Sequence, residues 1–410
     1  MKILFIHTIH EPARRGGGAE VVVWETIKGL QAAGHDCVLL STTDQPGLHC
    51  HEYQGVTVWL AGIKNIYWHG RAEKSATPAR MIWHLIDSYS TMMQGYIREV
   101  VHIEQPQIIS AHDLMGFSIA NTWKTTRKCG VPLVQVLHGY EAICAKASMY
   151  KRGHICRSQC ASCRILRLPH RASSNQVAAV VGVSQFILDL HVAEGYFSTV
   201  RMRHVINNAR SMHSLELDAA SPTDPHTGIR FGYIGRLDPP KGVEPLIDAF
   251  RQLLQPDAEL WIAGAGKSGY EASLRQRAQG DPRIRFLGRM QPRAFYPQVD
   301  VVVVPSLWNE PFGMVVSEAM AFGKPVIGAR RGGIVEMVRN GENGLLIEPN
   351  NLMNLQGALN RLIESDALLR ALAENARISA ARFTDITAYA ERHSNLYTEI
   401  LASHSGVGAA

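Results

Sequence analysis

Short apolar runs alternate with longer stretches of helical composition along the first half of the chain. Each run is only a few residues long and is mostly apolar, which is typical of strands that are buried in a parallel sheet. This alternation predicts an α/β domain with helices on both faces of the sheet. The predicted strands are residues 2–7, 37–41, 56–60, 107–110, 132–137, 177–183 and 203–206, with one helix ending near residue 33 and another over 79–104.

The second half of the chain repeats the pattern, and nearly every predicted strand ends in glycine or a turn before a helix. Residues 207–228, which contain Pro222 and Pro225, are irregular and predict a linker. We therefore expect two Rossmann-like domains, residues 1–206 and 229–385, that face each other across a cleft, with a last helix and tail over 386–410 crossing back to the first domain. The predicted strands are 229–234, 259–263, 284–287, 301–304, 325–328 and 344–347.

Composition and charge narrow the class of protein. The chain has 410 residues, of which 46% are apolar, and it contains neither a signal-peptide pattern nor an apolar window long enough to span a membrane. The net charge of +6 is concentrated between residues 141 and 175, where seven cations stand against Glu141. This patch suits an anionic partner, such as a lipid diphosphate at the inner face of a membrane, or belongs to a zinc-clamped surface loop with no substrate role. It predicts no nucleic-acid partner.

Four of the seven cysteines fall in the same segment, an insertion over residues 141–175. In a chain without an export signal we expect a cytoplasmic, reducing location, where clustered thiols indicate a structural zinc site more often than disulfides. One alternative is four unrelated thiols. Another is the iron–sulfur cluster of radical enzymes that use S-adenosylmethionine, whose cysteine spacing equals that of Cys156, Cys160 and Cys163. These three cysteines, however, lie in mid-chain, and no aromatic residue precedes Cys163. The candidate ligands are Cys144, Cys156, Cys160 and Cys163.

Two carboxylates flank a predicted strand-to-helix turn after residues 301–304. Glu310 lies in the loop, and Glu318 lies about two turns inside a helix predicted over 312–322 and ended by Gly323. Ionised carboxylates can accept hydrogen bonds from the paired hydroxyls of a sugar or a ribose. The alternative is that both are ordinary surface acids beside a buried helix.

Two cations flank another strand-to-helix turn. Arg236 and Lys241 follow the strand 229–234, and a guanidinium with an ammonium suits a diphosphate. The chain contains no Asp-x-Asp motif, which often holds a divalent ion in glycosyl transfer. We therefore expect these cations, and no catalytic metal, to stabilise a departing diphosphate.

Strand ends in the first domain carry further candidates. His138 ends the predicted strand 132–137, where a side chain can face a ligand, whereas His112 in a similar place is interpreted as structural. Glycines 16–18 precede a helix, so they predict either a phosphate-binding turn or a flexible loop. The roles of His112 and Glu20 stay open.

Taken in order, these motifs resemble glycosyltransferase family 4. They are Gly-Gly-Ala-Glu at 17–20, His138-Gly139, Gly235-Arg236 with Lys241-Gly242, Pro305-Ser306 with Glu310 and Glu318-Ala319, and Gly332-Gly333. The resemblance implies the GT-B fold and retaining transfer of a sugar from a UDP or GDP sugar to an acceptor hydroxyl. It implies that the leaving phosphate oxygen takes the acceptor proton and that no protein nucleophile is used. The products would belong to polysaccharides, glycolipids or glycosylated metabolites.

The resemblance also implies roles for individual residues. The catalytic set would be Glu310, His138, Arg236 and Lys241, with Glu310 on the sugar, His138 lining the sugar pocket and accepting a hydrogen bond there, and the two cations on the diphosphate. Glu318 would hold the ribose. The remaining donor-binding residues would be Gly17, Gly18, Gly235, Leu287, Gly288, Arg289, Met290, Phe312, Gly313, Met314, Gly332 and Gly333.

Three other functions are compatible with parts of this pattern. A nucleotide-sugar epimerase or hydrolase could use the same fold, a non-catalytic nucleotide-sugar sensor could use the same binding residues, and an iron–sulfur radical enzyme could use the cysteines. The joint order of the motifs favours the transferase.

Overall fold

The computed structural model describes residues 1–9, 18–70, 77–213, 215 and 226–405. The chain divides into two compact units, each with its own sheet of mainly parallel strands. Unit 1 contains Met1–Met149, Cys156–Asn208 and Ile386–Ala410, and unit 2 contains Tyr150–Ile155 and Ala209–Asp385.

Unit 1 is built on an eight-stranded sheet in the order β10-β9-β6-β5-β1-β2-β4-β3. Its described strand pairs are parallel except β3 with β4. The strand order reverses between β1 and β5, so the loops after these two strands leave the sheet at the switch point where α/β folds hold ligands. The strands are β1 (Lys2–Ile6), β2 (Asp36–Thr43), β3 (Leu48–Tyr53), β4 (Val56–Gly62), β5 (Ile108–Ala111), β6 (Leu133–Leu137), β9 (Ala179–Gly182) and β10 (Met202–Val205); β7 (Tyr150–Lys151) and β8 (His154–Ile155) form a separate hairpin.

The helical stretch expected over 79–104 is wrong as a single helix. The structure has two helices, α2 (Thr77–Tyr89) and α3 (Gln94–Glu104). The break is held by Asn121, whose side-chain amide donates hydrogen bonds to the carbonyls of Tyr89 and Ser90 at 3.3 and 3.0 Å. The other helices of this unit are α1 (Gly18–Ala32), α4 (Ile119–Lys128), α5 (Ala161–Leu166), α6 (Leu168–Ser173) and α7 (Gln185–Ala193).

The last helix of the chain belongs to unit 1, as the sequence predicts. Its residues Ile386–Ser405 form α15, which packs on α1. The approach is close because α1 presents Gly29: a Cβ built there would lie 2.9 Å from the Cβ of Ala390. Tyr389 of α15 also hydrogen-bonds through its hydroxyl to Thr26 at 3.0 Å.

Unit 2 has a six-stranded parallel sheet in the order β13-β12-β11-β14-β15-β16. Its order reverses between β11 and β14, and these two strands precede the predicted cationic and acidic loops. The strands are β11 (Arg230–Ile234), β12 (Glu259–Ala263), β13 (Ile284–Gly288), β14 (Val301–Val304), β15 (Val326–Ala329) and β16 (Gly344–Ile347); the helices are α8 (Val243–Arg251), α9 (Ser268–Ala278), α10 (Pro292–Phe295), α11 (Met314–Ala321), α12 (Ile334–Met337), α13 (Leu352–Ile363) and α14 (Asp366–Thr384).

The strands β14 and β15 of unit 2 are buried along their whole length, which explains why they are apolar throughout. All four valines of β14 are buried, and Phe231 of β11 packs edge-on against Phe250 of α8 with ring centroids 6.4 Å apart. Each such side chain contributes about 1.5–3 kcal/mol when it is fully removed from water. The strands therefore provide a rigid base for the polar loops at their carboxyl ends.

Within the described ranges, none of the helices combines the length and the apolar character that crossing a membrane requires.

The packing of α15 on α1 gives a test of this fold. We expect Gly29→Val to lower the free energy of unfolding by about 1–3 kcal/mol, because the new side chain must push the two helices apart. Gly95→Val in α3 is the matched control, since a Cβ at Gly95 meets no atom within 4 Å. Urea unfolding of both variants measures the difference, and equal losses would contradict the close helix contact.

Candidate active site

The two loops at the switch point of unit 2 are bound to each other. After β11 the chain passes Gly235 and Arg236, forms one 3-10 turn over Pro239–Lys241, and enters α8 through Gly242. Gly242 has φ +74°, and a Cβ there would lie only 2.0 Å from the carbonyl oxygen of Pro305 in the loop after β14. Glycine is required because its backbone must touch the other loop. The Leu307 amide also donates a 2.8 Å hydrogen bond to the Pro240 carbonyl.

This contact brings Lys241 to Glu310. The Lys241 ammonium donates a 2.8 Å hydrogen bond to Glu310 Oε1, and the Ser306 hydroxyl and Trp308 indole donate to the same oxygen at 2.6 and 2.9 Å. None of these three bonds uses Oε2. The ammonium also lies 5.1 Å from the centre of the Trp308 ring, a cation–π distance.

Glu310 is ionised despite its burial, with 7% of its surface exposed. Burial by itself would raise the pKa of this carboxyl, but the charge and hydrogen bond of Lys241, with the bonds from Ser306 and Trp308, lower it below its usual value. The result is a fixed negative charge that can accept hydrogen bonds and cannot donate them.

Two glycines on the loop after β15 contact the backbone of Glu310. Gly332 has φ +52°, and a Cβ there would lie 2.1 Å from the Glu310 carbonyl oxygen. The Gly333 amide donates a 2.7 Å hydrogen bond to that same oxygen. Both glycines are buried, and within the predicted site they pack against the Glu310 backbone.

Glu318 is on α11, which spans Met314–Ala321 and is therefore shorter than the helix expected over 312–322. Its carboxylate is bound on both oxygens, by Arg210 at 2.6 Å and by the Tyr296 hydroxyl at 2.9 Å. Gly313, with φ +107°, starts the helix, and Gly323 follows it with φ +67°, as the sequence predicts for a C-terminal cap. The preceding Phe312 is buried.

The other predicted donor residues lie at neighbouring strand ends. Arg236 is exposed, and the Tyr233 hydroxyl donates a 2.7 Å hydrogen bond to its carbonyl oxygen. Leu287 and Gly288 end β13, and the Gly288 carbonyl accepts a 2.6 Å hydrogen bond from Gly264. Exposed Arg289 and half-buried Met290 follow.

In unit 1 the predicted histidine is part of a polar group at the carboxyl ends of β5 and β6. His138 Nε2 lies 2.7 Å from His112 Nδ1, and burial lowers the pKa of His138 to about 4, so the ring is neutral. Burial, with the negative charge of Glu20, raises the pKa of Asp113 to about 7. Gly18 is the first residue of α1, whereas Gly17 lies outside the described residues.

The predicted four-cysteine metal site is not supported. Nowhere in the described ranges does a group of three or more histidine, cysteine or acidic side chains lie so that it could hold a metal ion. The neighbouring thiol of Cys144, together with burial, raises the pKa of the Cys163 thiol. Cys160 Sγ also lies 3.2 Å from Ser162 Oγ, and Cys156 is half-buried. No disulfide joins any of the seven cysteines, all of which lie in described segments.

Comparisons with known proteins agree with this geometry. The model of "Glycosyl transferases group 1" matches residues 216–379, and that of "Glycosyl transferase 4-like domain" matches residues 17–208. An uncharacterised 42.6 kDa protein in the cps region of Klebsiella pneumoniae is 30% identical over 340 residues, which are 83% of this chain and 88% of that protein.

Two solved structures share the fold. Sucrose-phosphate synthase from Thermosynechococcus elongatus superimposes with a TM-score of 0.76 at 19% identity, covering 98% of this chain and 99% of that one. Anabaena Alr3699/HepE in complex with UDP and glucose gives a TM-score of 0.70 at 21% identity, covering 97% and 99%.

The two parallel-sheet units and the charged loops of unit 2 define a glycosyltransferase with the GT-B fold. More specifically, the chain belongs to the group 1 glycosyl transferases and has a 4-like domain in its N-terminal half.

The sequence alone does not predict three of the residues that bind Glu310 and Glu318. Trp308 lies two residues before Glu310, so its indole could have been considered as a donor. Arg210 and Tyr296 are 108 and 22 residues from Glu318, and no local pattern connects them.

The support of Glu310 by Gly332 is testable. We expect Gly332→Ala to lower the free energy of unfolding by about 2–5 kcal/mol, because a left-handed backbone strain adds to a collision with the Glu310 carbonyl. Gly280→Ala is the control: it has φ +86° but meets no atom within 4 Å, and so should lose about 1–2 kcal/mol. Denaturant unfolding measures both, and equal losses would show that Gly332 does not support Glu310.

Proposed function

We propose that this chain is a retaining, metal-independent hexosyltransferase that moves a sugar from a UDP sugar to an acceptor hydroxyl. The observation that carries the proposal is the Lys241–Glu310 ion pair at the switch point of unit 2. In this pair a cation that would bind a diphosphate lies beside an ionised carboxylate that would accept hydrogen bonds from sugar hydroxyls. The UDP and glucose complex of the fold neighbour supports the choice of donor.

Different parts of the donor would bind to the loops that follow the strands of unit 2. Lys241 and the exposed Arg236 would bind the diphosphate, with the backbone of Gly235 beside it. Glu310 would accept hydrogen bonds from the sugar, and the amides near Gly313 would donate to sugar and phosphate. Glu318 would bind the ribose, for which its carboxylate has lone pairs left besides those used by Arg210 and Tyr296.

The reaction would proceed on one face of the sugar. The acceptor oxygen bonds to the anomeric carbon while the bond from that carbon to the diphosphate oxygen breaks, and the electron pair stays on the diphosphate. The proton of the acceptor hydroxyl passes to the leaving phosphate oxygen. Arg236 and Lys241 stabilise the charge that develops there, so that transfer continues in the presence of a metal chelator.

The acceptor would be anionic or lipid-linked, and the basic segment over 141–175 supports this choice. Arg167 does not contribute, because it is buried and lies 4.0 Å from Asp87. The six other cations are exposed, and so are the apolar Ile165 and Leu168 of unit 1, at 67% and 61%. Exposed cations and exposed apolar side chains within one segment of the sequence suit peripheral contact with an anionic membrane. The exposed cations are Lys146, Lys151, Arg152, Arg157, Arg164 and Arg171.

Incubation with labelled donor tests the reaction class. The protein is incubated with UDP or GDP hexoses in chelator, first alone and then with lipid diphosphate or oligosaccharide acceptors. We expect intact donor in the first case and, with UDP hexose and the lipid-linked acceptor, a product with the donor's anomeric configuration. Epimerised or hydrolysed donor without acceptor would favour an epimerase or hydrolase, and an inverted product would overturn the retaining mechanism.

Substitution of the ion pair tests the site. We expect Glu310→Gln and Lys241→Met each to lower kcat/KM by about 10²–10³, since each removes a charge positioned for the transition state. Glu259→Gln is the matched control, because Glu259 also binds a cation and an indole, Arg230 at 2.7 Å and Trp261 at 3.0 Å, at the start of β12.

Steady-state kinetics of these three variants, with unfolding curves to confirm their fold, decide the outcome. Wild-type activity in Glu310→Gln or Lys241→Met would reject the proposed site. An equal loss in Glu259→Gln would show that the effect is a general loss of stability.

A further inference from the structure

A line of buried hydrogen bonds in unit 1 runs from the last helix to His138. The Tyr397 hydroxyl on α15 donates to Ser110 Oγ on β5 at 2.9 Å. Ser110 Oγ lies 3.1 Å from His112 Nε2, and His112 Nδ1 lies 2.7 Å from His138 Nε2. Tyr397, Ser110 and His112 have no exposed surface.

The first bond sets the direction of all the others. A tyrosine hydroxyl has one hydrogen, and Tyr397 gives it to Ser110; its alternative contact, His393 Nδ1, is longer at 3.4 Å. Ser110 therefore accepts with its oxygen, and because its hydroxyl has no third partner among the described residues, its own hydrogen is donated to His112 Nε2. An imidazole nitrogen that accepts a hydrogen bond is unprotonated in the neutral ring.

The tautomer of His112 determines that of His138. Because burial keeps the pKa of His112 well below its usual value, the ring is neutral and carries its single hydrogen on Nδ1. That hydrogen points to His138 Nε2, which must accept it. His138 is also neutral, and so its own hydrogen is on Nδ1.

The His112 ring is held in this orientation by its neighbours. Phe5 stacks on it with ring centroids 5.5 Å apart and an interplanar angle of 16°. The side-chain amide of Gln135 donates a 2.9 Å hydrogen bond to the His112 carbonyl. Rotation of the ring would break both of its nitrogen contacts and would disturb this packing.

His138 Nδ1 is buried and has no hydrogen-bond partner among the described residues. A buried N–H group without an acceptor costs about 1–3 kcal/mol, so a ligand oxygen that accepts a hydrogen bond from this group would remove that cost. We infer that Tyr397, Ser110 and His112 are positioning residues that hold His138 as the Nδ1–H tautomer, so that His138 donates a hydrogen bond to an oxygen of the substrate. The sequence-based expectation that His138 accepts a hydrogen bond is replaced by this one.

The substrate part of this inference rests on the proposed glycosyl transfer, whereas the tautomer does not. An Nδ1–H donor suits a sugar hydroxyl oxygen or a phosphate oxygen. It does not suit a role as general base, because the nitrogen that could take a proton, Nε2, already accepts one from His112. The line of hydrogen bonds also makes α15 a functional part of unit 1, since its first donor is Tyr397 on that helix.

Two-bond ¹H–¹⁵N correlation spectra of histidine-labelled protein test the inference, because they distinguish protonated from unprotonated ring nitrogens. The His138 signals are assigned by their absence in His138→Gln. We expect Nδ1–H in the wild type, and a mixture of both tautomers in Tyr397→Phe, where nothing orients the Ser110 hydroxyl. Ser110→Ala breaks the chain at a second point and should give the same mixture.

Tyr389→Phe is the matched control, because Tyr389 is a buried tyrosine on the same helix. Its hydroxyl bonds to Thr26, which is not part of the line of hydrogen bonds to His138. It should leave the His138 signals unchanged. An Nε2–H tautomer in the wild type, or an unchanged Nδ1–H signal in both Tyr397→Phe and Ser110→Ala, would overturn the inference.

Kinetics separate this inference from the proposed function. We expect Tyr397→Phe to lower kcat/KM of transfer by about tenfold or less, as loss of one oriented hydrogen bond does, and Tyr389→Phe to keep the wild-type value. If no transfer is found but the tautomer changes as expected, the proposed function fails and the positioning chain stands.

Discussion

The buried ion pair between Lys241 and Glu310 is the interaction on which the site in unit 2 depends. Removing two charges from water is costly, and their attraction offsets the cost only when further hydrogen bonds complete the arrangement. Here Ser306 and Trp308 supply those bonds on the same carboxylate oxygen. The pair is therefore held in place before any ligand arrives, which is the condition for electrostatic stabilisation of a transition state.

Glycines make this pair possible by letting three loops touch. Gly242 brings the loop after β11 against Pro305, and Gly332 brings the loop after β15 against the Glu310 backbone. Both have positive φ, and a side chain at either position would separate the loops. The sheet of unit 2 supplies the common edge, since β11, β14 and β15 are neighbours in it.

Much of this fold can be predicted because the strands of unit 2 are mostly apolar and end in glycine or a turn; the bounds predicted for the strands 259–263, 301–304 and 344–347 are those of the structure. The edge strand β3 could not, because its residues His49–Glu52 are exposed and carry no apolar alternation. Cysteine spacing does not predict how the thiols are arranged, since distance along the sequence does not tell whether the sulfur atoms surround one point. Arg210 and Tyr397 find their partners only through the fold, because 108 and 287 residues separate them from Glu318 and Ser110.

Calorimetric titration of UDP-glucose into the protein, with all divalent ions chelated, tests the central claim most directly. We expect binding to the wild type under these conditions and an affinity about 10- to 100-fold weaker in Lys241→Met, because one charge-assisted hydrogen bond is lost. Binding that requires a divalent ion, or equal affinity of the two proteins, would contradict the claim that Lys241 holds the diphosphate.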